Sequence, residues 1–331
     1  MDLIEQFKEQ AKKKPQRIVL PEGDDERIVA AAAEIVKEGI AKPVVIGTIE
    51  VIKAHAAKLN VKTDGMELIE PLKSPNFEKY VKLYASKRSD VSEAMAAKLV
   101  KKAVMFGAVM VAAGDADGMV AGAANATATI LQASTLAIGF EKGINTPSSF
   151  FMMVVPEFQG EKDKVFFFAD CAVNIQPNAA QLADIAVSTG RSAKVLLGTD
   201  PKVAMLSFST KGSASHADVD KVVEAMKLAQ EKDPSMAIDG EMQGDSALIQ
   251  KVAEKKIKGG STVAGKANVL VFPDLDAGNI AYKLTQYLAN AKAYGPILQG
   301  FAKPVSDLSR GATAKDIVGI AAIMAVKAQR S

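Results

Sequence analysis

Val203-Ala-Met-Leu-Ser207 runs into Phe208-Ser-Thr-Lys-Gly-Ser-Ala214, and a helical stretch follows over residues 218–231. A short apolar strand, a polar glycine-containing loop and a longer helix form one unit of an α/β fold. The same unit recurs along the chain. Candidate strands lie at 17–20, 43–46, 118–121, 150–155, 164–169, 203–207, 237–239 and 268–272. Helical stretches at 25–38, 77–86, 94–113, 178–197, 218–231 and 280–291 alternate with them. Such alternation implies an α/β protein of mainly parallel sheets covered by helices. In these sheets ligand groups gather in the loops beyond the carboxyl ends of the strands. Those loops read Pro21-Glu22-Gly23, Gly122-Ala123-Ala124-Asn125, Asp170-Cys171, Ser209 to Ser213, and Pro273-Asp274.

Composition narrows the classes. The 331 residues suffice for two domains or one large α/β unit. A net charge of +3 without a long basic block argues against nucleic acid as the main partner. One cysteine, Cys171, excludes an intrachain disulfide and fits a reducing, cytoplasmic compartment. His55 and His216 are the only histidines, so no cysteine and histidine cluster has zinc-like spacing. Residues 1–16 read as a short amphipathic helix, not a signal peptide, and no run approaches the roughly 20 apolar residues that span a membrane. Gly, Asn, Thr and Pro collect between Gly139 and Pro147, a candidate hinge, and Tyr294-Gly295-Pro296 is a second.

Two segments carry candidate chemistry. Asp307-Leu308-Ser309-Arg310-Gly311, with Asp316 beyond, combines a hydroxyl, a permanent guanidinium, a flexible turn and a carboxylate suited to a phosphate ester or anhydride. The same stretch also reads as a helix start, because Thr313 and Asp316 have capping-box spacing. Residue types alone leave the two readings level. Ser209, Thr210, Lys211, Gly212 and Ser213 follow a strand and precede a helix, and are read as an anion cradle, with a serine-capped turn as the alternative.

Other segments are weaker. Gly260 to Ala267 nearly matches a P-loop, but Ala267 replaces the magnesium-binding hydroxyl and a strand follows where a helix should start. Lys266 stays a candidate ligand-facing cation, or a surface lysine. Asp274 and Asn279 are either substrate-positioning groups or helix caps, and Glu22 and Asp170 share that ambiguity. Cys171 lacks a neighbouring histidine and reads as a buried structural thiol. His216 reads as a helix-start residue and His55 as superficial.

Taken together, these motifs resemble the phosphate acetyltransferases, within the wider phosphate acetyl/butyryltransferase family. The likeness runs nearly end to end. It is carried by Pro21-Glu22-Gly23, Asp117-Gly118 with Gly122-Ala123-Ala124, Phe168-Ala169-Asp170, the run from Lys202 to Ala214, and Asp239-Gly240-Glu241. It continues through Val263 to Asn268, Phe272-Pro273-Asp274 with Gly278 to Tyr282, Ala293 to Pro296, Asp307 to Gly311, and Asp316-Ile317-Val318. The resemblance implies reversible acetyl transfer between acetyl phosphate and coenzyme A, without metal or cofactor, coenzyme A being a substrate. It also implies a homodimer of two-domain subunits, with residues 1–143 and 300–331 in one domain, 144–299 in the other, and the active site in the cleft between them. Asp316 would remove the thiol proton, while Ser309 and Arg310 would contact acetyl phosphate.

The chain departs from the family pattern after Ala124. Asn125 stands where many relatives have His, and Gln132 where they have Arg; Lys87 aligns with a further Arg, with Arg88 adjacent. Asn125, Thr127, Gln132, Lys87 and Arg88 are therefore candidate substrate contacts; one cationic group is lost at Gln132, and Lys87 loses the bidentate geometry of arginine. A propionyl or butyryl donor is the alternative substrate, since one methylene discriminates by only about 1–3 kcal/mol. A β-decarboxylating dehydrogenase would share the architecture, but no G-x-G-x-x-G fingerprint or metal-spaced carboxylate set occurs. A non-catalytic descendant of the fold would not need Ser309, Arg310 and Asp316 together.

Overall fold

A computed structural model describes residues 2–330, and the chain clusters into two compact units. One holds the residues up to Gly139 and those from Phe301 on; the other is Phe140–Gly300.

The first unit opens with α1 (Leu3–Lys12), capped by Asp2, and β1 (Gln16–Leu20). There follow α2 (Glu26–Glu38), β2 (Ala41–Ile46), α3 (Ile49–Lys58) and β3 (Glu67–Ile69). Next come α4 (Phe77–Ser86), α5 (Glu93–Val100), α6 (Ala103–Ala112), β4 (Gly118–Ala121) and α7 (Thr127–Ala137). The helix expected over 94–113 is thus two helices. Lys102 is extended at the break, with ψ 130°, and both Lys101 and Lys102 are exposed. Two successive ammonium groups reach water there, which they could not do inside the buried run of α6.

In the second unit β5 (Ser148–Phe158) and β6 (Glu161–Ala169) make an antiparallel hairpin. The candidate strands at 150–155 and 164–169 thus form an antiparallel pair within a mainly parallel fold. Gln159 and Gly160, at φ 52° and 82°, both adopt the left-handed conformation that a two-residue hairpin turn requires. The unit continues with α8 (Ala179–Leu197), β7 (Lys202–Leu206), α9 (Ala217–Lys232) and β8 (Ala237–Met242). It closes with α10 (Gly244–Leu248), α11 (Gln250–Lys256), β9 (Val269–Val271), α12 (Leu275–Leu288) and β10 (Lys292–Gln299). The chain then returns to the first unit as β11 (Val305–Asp307) and α13 (Ala314–Gln329).

Among the described residues the first sheet has the order β11-β4-β1-β2-β3, parallel throughout. The second runs β10-β5-β6-β9-β7-β8, antiparallel at β10-β5 and β5-β6 and parallel elsewhere. Two packs of helices flank the first sheet: α13 with α1 and α2, and α6 with α4, α5 and α7. Residues Ile317 to Val326 of α13 are all buried. Truncating one of its isoleucines to alanine should cost about 2–5 kcal/mol, which fixes the segment carrying Asp316 to the core.

Candidate functional site

The first unit's chain steps outward from β1 through β2 to β3, then resumes beyond β1 with β4 and β11. That reversal leaves a crevice at the carboxyl ends of β1 and β4. An internal carboxylate occupies the amides there. Glu22 is buried and accepts from Gly122 N and Ala123 N at 2.8 Å, from Ala124 N at 3.0 Å, and from Asn125 N at 2.8 Å. Asn125 Nδ2 adds a fifth bond at 2.8 Å. Successive amides converging on one anion form a nest, and here the anion belongs to the protein. The Asn125 side chain is thereby engaged by Glu22.

Beside the nest, β11 ends on Asp307, which is only 3% exposed. Thr127 Oγ1, at the start of α7, donates to its Oδ2 at 2.5 Å, while Oδ1 has no hydrogen-bond partner among the described residues. Burial pushes this carboxyl up to about 6; the charge of Glu22 acts the same way, and Thr127 and the Leu308 amide oppose it. Gly122 makes the close approach feasible. A Cβ there would stand 2.2 Å from Asp307 Oδ1 and 2.6 Å from Leu308 N, at a φ of 113°.

After buried Leu308 the chain surfaces. Ser309 and Arg310 are both exposed, and Ser309 Oγ accepts from Gly311 N at 3.3 Å. The turn is held from below by Arg27, in the first turn of α2. Its Nη1 donates to Arg310 O at 2.7 Å and Ala312 O at 2.9 Å, and its Nη2 donates to Ala123 O at 2.7 Å. Asp25 takes Nε at 3.0 Å and Nη2 at 2.7 Å, which holds the Asp25 carboxyl below its ordinary range. Sequence reasoning passed over Arg27. Its signal was slight, a single arginine just after the Pro21-Glu22-Gly23 turn, because its partners lie far along the chain.

Asp316 has the capping geometry that its spacing implies, and it still faces solvent. It is exposed, and its Oδ2 accepts from Thr313 N at 2.9 Å and from Thr313 Oγ1 at 2.7 Å. Thr313 Oγ1 in turn accepts from Asp316 N at 3.3 Å, completing a capping box at the head of α13. Oδ1 takes no hydrogen bond among the described residues.

Lys87 Nζ reaches Ala137 O at 3.3 Å, Arg88 pairs with Asp90 at 2.9 Å, and Gln132 is exposed on α7. In the second unit, Ser209 and Thr210 are buried, and Ser209 Oγ and Gly212 N both donate to Glu241 Oε1 at 2.8 Å. Lys211 Nζ binds Asp239 Oδ1 and Gly240 O at 2.5 Å each, and Ser213 Oγ accepts from Thr210 N at 3.0 Å. The loop does not open a helix, for α9 begins at Ala217 behind His216, whose Nδ1 accepts from Asp218 N. The loop wraps Glu241 through Ser209 Oγ and Gly212 N, while Lys211, Gly212 and Ser213 stay exposed.

Asp274 caps α12 through Ala277 N at 2.9 Å, and Asn279 Nδ2 donates to Cys171 O at 3.0 Å. Lys266 is exposed. Asp170 gathers Ser149 Oγ at 2.5 Å with the amides of Ala172, Val173 and Asn174, a third carboxylate-filled nest. Cys171 is buried, and burial raises its thiol well above the ordinary value, as befits a structural residue. Among the described residues no group of three or more His, Cys, Asp or Glu is placed to hold a metal ion, and no helix is long and apolar enough to cross a membrane.

The pattern described as phosphate acetyl/butaryl transferase matches residues 2–325. The chain is 49% identical over 331 residues to the phosphate acetyltransferase of Acetivibrio thermocellus, covering 99% of each. A solved phosphotransacetylase from Streptococcus pyogenes superposes with a TM-score of 0.92 at 41% identity, over 99% of this chain and 98% of that one. A phosphotransacetylase from Staphylococcus aureus gives 0.91 at 41% identity, with the same coverage.

Proposed function

The chain belongs to the phosphate acetyl/butaryl transferase family, and on that premise we propose how its residues move an acetyl group. It is a phosphate acetyltransferase. We assign coenzyme A and acetyl phosphate as the substrates of one direction, and acetyl-coenzyme A and phosphate as those of the other. One observation carries the site. Between buried β11 and the buried body of α13, the chain turns Ser309, Arg310 and Asp316 out to solvent while their backbone stays fixed.

In the scheme, Arg310 presents its guanidinium fork to the phosphate oxygens of acetyl phosphate and balances their charge. Asp316 takes the coenzyme A thiol proton. Oδ1 is the receiving atom, since Oδ2 is occupied by Thr313. The thiolate sulfur forms a bond to the acetyl carbon, Ser309 Oγ donates to the developing oxyanion, and the carbon–oxygen bond to phosphate breaks. Phosphate leaves with both electrons of that bond. No electron transfer occurs, so the scheme uses no redox cofactor. Glu22 and Asn125 keep the neighbouring loop in shape, while Lys87, Arg88, Gln132 and Lys266 stand as candidate contacts for the larger substrate. A cytoplasmic setting fits the single buried thiol. We also assign a homodimer, for which the exposed apolar face of α12 is the candidate surface.

The test follows thioester formation from coenzyme A with acetyl, propionyl and butyryl phosphate. Acetyl phosphate should dominate, and no turnover with any of the three overturns the assignment. Asp316→Asn should lower kcat about 10²–10⁴-fold while the protein stays folded, as loss of a general base does. Turnover near that of the parent protein at saturating substrates would remove Asp316 from the mechanism.

A further inference from the structure

We propose that Arg27 is a positioning residue for acetyl transfer: it sets the Ser309–Arg310 turn in register without touching substrate. This rests on the assignment of Arg310 to the phosphate of acetyl phosphate. The guanidinium of Arg27 has five N–H donors, and five hydrogen bonds account for them. None is left for a ligand. Two go to Arg310 O and Ala312 O, the carbonyls on either side of Gly311. One goes to Ala123 O, whose residue donates its own amide to Glu22. The last two lock the fork on Asp25, which also accepts from Arg27 N at 2.9 Å and caps α2.

This connectivity has a directional consequence. The Arg310 side chain is exposed, but its peptide plane is clamped to the first turn of α2 and, through Ala123, to the Glu22 nest. A flexible Ser-Arg-Gly turn gains from such a clamp the fixed placement that phosphate recognition needs. Misplacement by about 1 Å at a reacting group costs on the order of 10²-fold in rate. Lysine cannot replace Arg27, because three donors on one nitrogen cannot span two turn carbonyls, Ala123 O and Asp25.

A double-mutant cycle tests the proposal, with steady-state kinetics of thioester formation measured on the full chain. Arg27→Lys should stay folded and lose about 10–100-fold in kcat/KM for acetyl phosphate, with a smaller change in KM for coenzyme A. Introduced into an Arg310→Ala background, the same change should cost less than about 3-fold, because the group it positions is gone. Should Arg27→Lys fail to fold, Arg27→Gln replaces it in the same cycle. Parent-like kinetics in the Arg27 variant overturns the proposal, as does an undiminished loss in the Arg310→Ala background. If Arg310→Ala itself has parent-like kcat/KM for acetyl phosphate, the substrate assignment fails first, and this inference falls with it. An active-site loss on Arg310→Ala without one on Arg27→Lys defeats this inference alone.

Discussion

At the scale of single residues, buried carboxylates organise the loops. Glu22, Asp170 and Glu241 each fill a nest of amides or hydroxyls at a strand end. Asp307 differs, since it meets one hydroxyl and leaves Oδ1 unpartnered. Its folded value of about 6 lies above the value near 3.9 expected of an unfolded aspartate. Between those values the folded protein keeps a proton that the unfolded chain has lost, so stability falls as pH rises through the window from about 4 to 6. The ionised group is then a standing penalty, of about 3 kcal/mol for a shift of this size. Asp307→Asn removes the titration. Relative to the parent, the variant should gain about 2–3 kcal/mol of stability between pH 4 and pH 7, read from urea unfolding at both. Parallel stability curves for the two proteins would show that Asp307 does not titrate in that range.

At the scale of elements, the site depends on three short pieces meeting: the end of β11, the loop after β4 and the first turn of α2. Gly122→Ala tests that contact. It places a methyl against Asp307 Oδ1 and Leu308 N at a backbone conformation that alanine avoids. Overpacking and backbone strain together should cost about 2–4 kcal/mol and displace the Ser309–Arg310 turn, so the melting temperature and the rate should fall together. An alanine variant with parent-like stability would mean that β11 has room to shift. The sequence shows the alternation of strands and helices because each long helix and each four- to six-residue apolar run repeats its period often enough to be read. The three-residue strands β3 and β11 carry no such period, and although β5 and β6 are both legible as strands, only the Gln159-Gly160 turn signals their antiparallel pairing. Ser309, Arg310 and Asp316 stand out by residue type. Arg27 does not, since its value comes from partners 96, 283 and 285 residues away.

At the scale of the whole molecule, the outstanding surface is the face of α12. Ile280, Leu284, Tyr287 and Leu288 lie at helical spacing and are all exposed, Tyr287 at 76% and Leu288 at 79%. Elsewhere on this chain large apolar side chains surface mostly one at a time, which needs no partner. A second copy is the natural cover, because a two-fold axis lays the same stripe against itself and satisfies both faces with one set of residues. A stable pairing buries about 800 Å² per partner, so the helix must be joined by its flanks, where Lys283 lies against the Tyr282 ring. Light scattering on the parent protein should therefore report a dimer at micromolar concentration. Leu284→Glu would set a carboxylate in the middle of each stripe, facing its own copy across the axis, a like-charge contact costing several kcal/mol. Because Leu284 is exposed within one subunit, the variant should keep its fold by circular dichroism and sediment as a monomer. A parent protein that stays monomeric up to about 100 μM, well above the micromolar range of a stable pair, would remove the dimer and this face with it.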